Sequence, residues 1–358
     1  MTRTIGTAVY GLRAPIFREG DDLQSEIVKL VKNSGLTIKD KDIVAITESV
    51  VARCQGNYVT VDEIANETKR ITNNAETIII VNPIFSRNRF AMLLKGIARG
   101  VGKKIIISMP EIDEVGNVRN NHPITKMNYD EYYKSIVESE NKECVIVPDV
   151  NNISFSENDV CIAADIHTRE ATKQQLKKIG YKFVLSLTDF FNEKCKYGLL
   201  GSNKASEERL KLFPNTDKSQ HLVESIQKQI KEETGKNIEV MVYGDGCFKD
   251  YDTKIWEMAD PVPCPAYTAG LKGAPNEIKI KNFADDKFKN LSGEDLTNAI
   301  KQEVKNKGNL EGKMESQGTT PRQYTSLLAS LCDLTSGSGD KATPIVYIQG
   351  YFDNYIDD

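Results

Sequence analysis

The sequence predicts a mixed α/β fold, of α+β type. Two observations carry this reading. The run TIIIVNP (77–83), a helix-period stretch over 87–99 and the run KIIIS (104–108) form a strand–helix–strand alternation, which favours a parallel sheet segment. Further on, a helix-period stretch at 219–234, closed by Gly235, feeds a second strand-like run, IEVMVY (238–243).

The elements follow in order. In EGDDL, Asp21 or Asp22 is placed to cap a helix whose apolar face is Leu23, Ile27, Leu30 and Val31. Asp42 leads into the buried-strand pattern IVAI. After KIIIS, residues 110–140 are rich in Asn, Asp, Glu and Tyr and are expected to form a surface excursion. Strand patterns return at CVIVP (144–148), VCIAA (160–164) and FVLSL (183–187), with an amphipathic helix between the last two. The Lys-, Asn- and Gly-rich stretch 270–317 reads as a peripheral loop and helix. A final helix is expected to start with Thr320 as cap, Pro321 in the first turn and Gln323 completing a capping box. It presents Tyr324, Leu327, Leu328 and Leu331 on one face, and the strand PIVYIQG follows.

Bulk properties narrow the function classes. A chain of 358 residues suggests about two domains, and its 39% hydrophobic content supports a substantial core. The net charge of −4 offers no basic footprint for nucleic acid or an anionic membrane. The apolar runs fall far short of the roughly 20 residues that span a bilayer. No apolar signal region opens the sequence, so a cytoplasmic location is expected. The 7 cysteines include no C-x-x-C pair and the 3 histidines are scattered, which argues against a structural zinc site or a disulfide framework.

Chemistry concentrates in short segments of small, acidic and hydroxyl residues. YGDGCFKD (243–250) follows a strand, so Asp245 sits where ligands bind in α/β sheets, with Asp250 and Asp252 near it for a hard cation such as Mg²⁺. In GSGDK, Gly337 and Gly339 permit a backbone that exposes consecutive N–H groups, and Lys341 adds charge. An Asp-Gly turn and a solvent loop are the plainer readings of these two. In PIFSRNRF, Ser86 is placed to cap a helix with Arg87 and Arg89 in its first turn, where an anion would justify the two cations. GIARGVG (96–102) has the glycines of a dinucleotide loop but lies at the end of a helix, so that reading is rejected. The sequence alone does not point to a partner for His167, which reads as a solvated or capping residue.

GLRAPIFREGDDL, TESVVARCQG, YGLLGSN, YGDGCFKD and LTSGSGDK, in this order, resemble the coenzyme F420-0:L-glutamate ligase (gamma-glutamyl ligase) family, as a divergent, expanded member. The resemblance covers about half the chain. It implies a ligase-like fold with inserted segments: an N-terminal α/β part at 1–110, an expanded α/β region at 111–195, and a C-terminal part at 196–358 with a peripheral insertion near 270–317. It implies nucleotide contacts at Pro15, Ile16, Phe17, Arg18, Glu48, Ser49, Arg53, Ser202, Asn203, Gly337, Gly339 and Asp340. A metal ligand falls on Asp245, and because the other family carboxylate falls on Leu200, another acid, Asp250 first, then Asp165 or Asp189, is expected to replace it. Arg53 and Lys249 join Asp245 in catalysis, and Arg87 and Arg89 bind substrate anions.

The implied reaction joins L-glutamate to a carboxylate-bearing cofactor or metabolite through an acyl phosphate. It uses GTP or ATP with Mg²⁺ or Mn²⁺, in a homodimer. A folate-glutamylating ligase and a non-catalytic nucleotide-binding or small-ligand-binding protein on the same scaffold are the alternatives.

Overall fold

A computed structural model describes residues 4–121, 123, 125–244, 247–249, 256–258, 264–311, 313, 323–336 and 339–356, the backbone alone at 247–249 and 256–258. The chain runs β1 (Ala8–Leu12), α1 (Leu23–Asn33), β2 (Ile43–Thr47), α2 (Glu48–Cys54), β3 (Tyr58–Thr60) and α3 (Val61–Ile71). Then come β4 (Thr77–Val81), α4 (Arg89–Gly100), β5 (Lys104–Ser108), α5 (Tyr129–Ser139), β6 (Glu143–Val147), β7 (Val160–Ala163), α6 (Arg169–Ile179) and β8 (Phe183–Ser186). The last part holds β9 (Asn203–Lys204), β10 (Arg209–Lys211), α7 (Thr216–Thr234), β11 (Glu239–Tyr243), β12 (Cys247–Lys249), β13 (Trp256–Met258) and β14 (Ala266–Tyr267). Helices α8 (Ile280–Asp285), α9 (Gly293–Asn306) and α10 (Tyr324–Thr335) precede the last strand, β15 (Ile345–Gln349).

A mixed sheet of order β1-β15-β2-β11-β14 forms the centre, with β2 and β11 parallel and the other pairs antiparallel. Both of its faces are covered, which is why IVAI reads as an unbroken apolar run. Val44 and Ile46 pack with Ile27 and Val31 of α1 and with Val223, Ile226 and Ile230 of α7. Ile43 and Ala45 point the other way and pack with Leu328, Ala329 and Cys332 of α10. Helix α1 is capped by Asp22, whose carboxylate accepts from Ser25 N, and α7 closes at Gly235 with φ +72°.

A second sheet is parallel throughout, in the order β6-β5-β4-β7-β8, as the strand–helix–strand alternation predicts. Its strands span residues 77–186 and so draw on both 1–110 and 111–195. Chain order reverses between β4 and β7, the arrangement of doubly wound sheets. Helix α4 packs on α3 at very close range. A Cβ added at Gly96 would lie 2.5 Å from Ile64 Cγ2, and one at Gly100 would lie 2.5 Å from the carbonyl of Ala65. Gly96 and Gly100 of GIARGVG therefore serve a helix crossing, in keeping with the rejection of a dinucleotide-loop reading.

Three local expectations are corrected. The stretch 110–140 is not all surface, because α5 buries Tyr129, Tyr133 and Val137 in the core. The N-cap of α4 is Asn88, not Ser86, although the Ser86 hydroxyl still accepts from Phe90 N at 2.8 Å; Arg87 thus precedes the helix. Gln323 is itself the N-cap of α10 and makes no side-chain cap bond, while Thr320 and Pro321 lie outside the described residues. No helix among the described residues is long and apolar enough to cross a membrane.

Candidate active site

The parallel β2–β11 pair sets the site, because both strands end at one edge of the central sheet, with Thr47 opposite Tyr243. Strand β15 is antiparallel to β2 and enters at that edge, Ile345 opposite Ile46, and Leu12 at the end of β1 pairs with Ile345. Four segments distant in sequence therefore meet there: 13–18, 48–53, the chain leaving β11 at Gly244, and 339–344. Backbone bonds tie the first of these to the last, Ala14 N to Ala342 O at 3.0 Å, and the end of β2 to the residue before β15, Thr47 N to Pro344 O at 3.0 Å. The left-handed position in the last segment is Ala342, at φ +52°, whereas Gly339 has open space around its Cα.

The first segment is pinned by Phe17, which is buried beside Leu23, Val50 and Val51, while Pro15, Ile16 and Arg18 are exposed. Arg53, in the last turn of α2, donates Nε to the Phe17 carbonyl at 3.2 Å and so ties the first two segments. Ser49 is half-buried in the first turn of α2. Glu48 opens that helix, where a carboxylate complements the exposed N–H groups, and it forms an ion pair with Lys211 of β10.

Residues 198–203 form a tight turn that explains its glycines. Gly198 has φ +53°, and an added Cβ would sit 2.4 Å from the Phe190 carbonyl; at Gly201 the Cβ would lie 1.8 Å from the Phe213 ring. Leu199 and Leu200 between them are buried in the core. Ser202 is buried, with its hydroxyl donating to Leu199 O at 2.8 Å. Asn203 is exposed in β9 and is the register partner of Lys211. Arg89 reaches this turn, donating Nη1 to the Leu200 carbonyl at 2.6 Å. Arg87 is exposed, and its carbonyl accepts from Tyr132 Oη at 3.2 Å.

Lys211 was missed by sequence reasoning. The available signal was RLKLF, where alternation sets a charge between two buried leucines in a strand paired on both sides. Asp245, Asp250 and Gly337 lie outside the described residues, as does the side chain of Lys249 in β12. Asp340 is exposed ahead of β15. Among the described residues no group of three or more His, Cys, Asp or Glu comes together to hold a metal. Burial raises the Cys195 thiol above its ordinary value, with a further push from the Glu48 charge, and burial raises Tyr197 to about 12.

The other ligand-prone place, the reversal between β4 and β7, is taken by the protein itself. Glu114 accepts from the N–H groups of Ile166, His167 and Thr168 ahead of α6, which uses the amides an external anion would need. His167 is exposed there. A family model described as F420-0:Gamma-glutamyl ligase matches residues 11–350. No curated protein matches the chain.

Proposed function

The chain belongs to the F420-0:gamma-glutamyl ligase family and is a ligase of that kind, and from this premise we propose how it works. It uses GTP or ATP to join L-glutamate to a carboxylate of a cofactor or metabolite, a deazaflavin of the coenzyme F420-0 type being the first acceptor to try. The observation that carries this reading is the convergence of 13–18, 48–53, the end of β11 at Gly244 and 339–344 on one sheet edge, the place where α/β sheets bind ligands.

The chemistry runs in two balanced steps. An oxygen of the acceptor carboxylate attacks the γ-phosphorus, the bond from that phosphorus to the bridging oxygen breaks, and a nucleoside diphosphate leaves with an acyl phosphate formed. The amine of glutamate then attacks the acyl carbon, the carbon–oxygen bond to phosphate breaks, and inorganic phosphate and a proton are released with the amide. Charge must be spread over the transferring phosphoryl group. Arg53 is suited to this, since binding Phe17 uses its Nε and leaves its terminal nitrogens as donors. Lys249 and one of Arg87 or Arg89 are the other cations assigned to phosphate or carboxylate. Mg²⁺ or Mn²⁺, held by Asp245 with Asp250, would neutralise phosphate charge when bound. In this reading Pro15, Ile16, Arg18, Ser49, Ser202, Asn203, Gly337, Gly339 and Asp340 contact nucleotide, and the protein works in the cytoplasm as a homodimer.

The test is incubation with GTP or ATP, Mg²⁺ or Mn²⁺, glutamate, and deazaflavin or folate acceptors, following phosphate release and acceptor mass. Glutamylation of one acceptor, abolished by Asp245→Asn, supports the reading; no glutamylation of any acceptor rejects it. One observation favours a second reading, a nucleotide-binding protein without turnover. Where the resemblance aligns a family metal carboxylate stands Leu200, buried at 6% exposure, with its carbonyl held by Arg89.

A further inference from the structure

Lys211 is a charged residue in an unlikely place for one. Its flanking residues Leu210 and Leu212 are fully buried, and Lys211 itself is 4% exposed. Burying an ammonium costs several kcal/mol unless its donors are satisfied, and even a good ion pair barely offsets that cost. An ammonium carries three N–H donors. Among the described residues Glu48 is the one hydrogen-bond acceptor on the Lys211 Nζ. The Phe213 ring centroid lies 5.7 Å from that nitrogen and supplies a further, weak attraction.

The location gives this spare donor capacity a use. Glu48 is the first residue of α2, directly after β2, whose last residue pairs with Tyr243 of β11. Lys211 is also paired in register with Asn203. It thus links the 198–203 turn to the sheet edge at which β2 and β11 both end. A cation held there by a single carboxylate is poised to take an incoming anion as its second partner.

We propose that Lys211 donates directly to an anionic phosphate oxygen of the nucleotide at this edge, and that Glu48 is the positioning residue that keeps the ammonium charged and aimed. This rests on the ligase reading, and it adds a catalytic residue that neither the motif resemblance nor the family match assigns. When nucleotide binds, the ammonium bridges Glu48 and phosphate, and its charge offsets the negative charge that builds on the transferring group.

Four variants test it: Lys211→Met, Lys211→Arg, Glu48→Gln, and the double variant Lys211→Met/Glu48→Gln. The double variant removes both charges of the pair together, which keeps the test readable where Lys211→Met alone fails to fold. Binding of Mg²⁺–GTP and Mg²⁺–ATP is measured by calorimetry, turnover by phosphate release with glutamate and acceptor, and stability by thermal unfolding. We expect the double variant to match the wild type in thermal stability yet lose about 100-fold in turnover, the scale of one preorganised donor. Lys211→Arg should retain most nucleotide affinity, and Glu48→Gln should lower kcat more than it raises KM. A double variant with wild-type turnover would make the pair purely structural and overturn this inference while leaving the ligase reading intact. A wild-type protein that binds neither nucleotide overturns both.

Discussion

The α3–α4 crossing allows a prediction worked from distances. In Gly100→Ala the new Cβ would stand 2.5 Å from the Ala65 carbonyl oxygen, 2.7 Å from Thr68 Cβ and 3.1 Å from Ala65 Cα. Carbon contacts are optimal at about 3.5–4.0 Å, so α3 and α4 must separate by about 1 Å. The obstacles are backbone atoms and a β-carbon fixed to its helix, so no rotamer change relieves them. Overpacking of this sort costs typically 1–3 kcal/mol. Against it stands the gain from alanine over glycine in a helix interior, about 1 kcal/mol, and less at Gly100 because it ends α4. A net loss of about 2 kcal/mol follows for Gly100→Ala and about 1 kcal/mol for Gly96→Ala, whose Cβ meets Ile64. At roughly 2 °C per kcal/mol for a large chain, Gly100→Ala should lower Tm by about 4 °C. Gly308→Ala is the control, since a Cβ there meets nothing within 4 Å. The assay is differential scanning calorimetry of the three variants beside the wild type. A Tm for Gly100→Ala equal to or above that of the control refutes the close crossing. A loss of nucleotide affinity at unchanged Tm would instead revive the dinucleotide-loop reading of GIARGVG.

Three further outcomes are expected. Gly198→Ala, at φ +53° and with its Cβ 2.4 Å from the Phe190 carbonyl, should distort the turn carrying Ser202 and Asn203; soluble yield or nucleotide affinity falls, and a variant normal in both would show that the turn relaxes without cost. Thr60→Ala removes the hydroxyl half of the capping box that starts α3, so urea unfolding should show a loss of about 1 kcal/mol, and an unchanged midpoint would count against the box. The Glu140 carboxyl is held below its ordinary value near 4.5 first by the Arg99 guanidinium's hydrogen bonds and then by its charge, against a partial cost of burial. Its folded pKa lies below its unfolded one, so the stabilisation is present above the unfolded value and is lost as pH falls through the folded one; Glu140→Gln should flatten the acid limb of the stability profile, and an unaltered limb would assign the acid sensitivity elsewhere.

Reading the strands from sequence worked where both sheet faces are buried, because IVAI, TIIIV and KIIIS then appear as continuous apolar runs. Helix α5 was hidden because its core face is built mainly from Tyr129 and Tyr133, residues that composition counts as half polar. The pairing of β15 between β1 and β2 has no local signature at all, since it joins opposite ends of the chain. At the site, the segments at 13–18 and 48–53 were legible as motifs and the structure brings them together. Lys211 was legible only as a charge between the two leucines of RLKLF: a lysine in an alternating strand ordinarily faces water, and the packing of α2 against β10 is what covers this one. The turn before β15 was read as glycine chemistry, but of its described residues it is Ala342 that takes the left-handed conformation.

Strand β15 lies between β1 and β2 and bonds to both, and Tyr347 Oη donates to Asp42 across 305 positions of sequence. The candidate edge thus joins strands that are made far apart in time, β1 and β2 early and β15 much later. On the ribosome, residues 77–186 have every strand of their parallel sheet in hand and can collapse early, whereas β1 and β2 must wait with bare hydrogen-bonding edges until β15 emerges. Completion of the central sheet therefore waits for one five-residue strand to be set between two partners made long before it. Loss of that strand would leave β1 and β2 without their shared partner and the candidate edge unassembled.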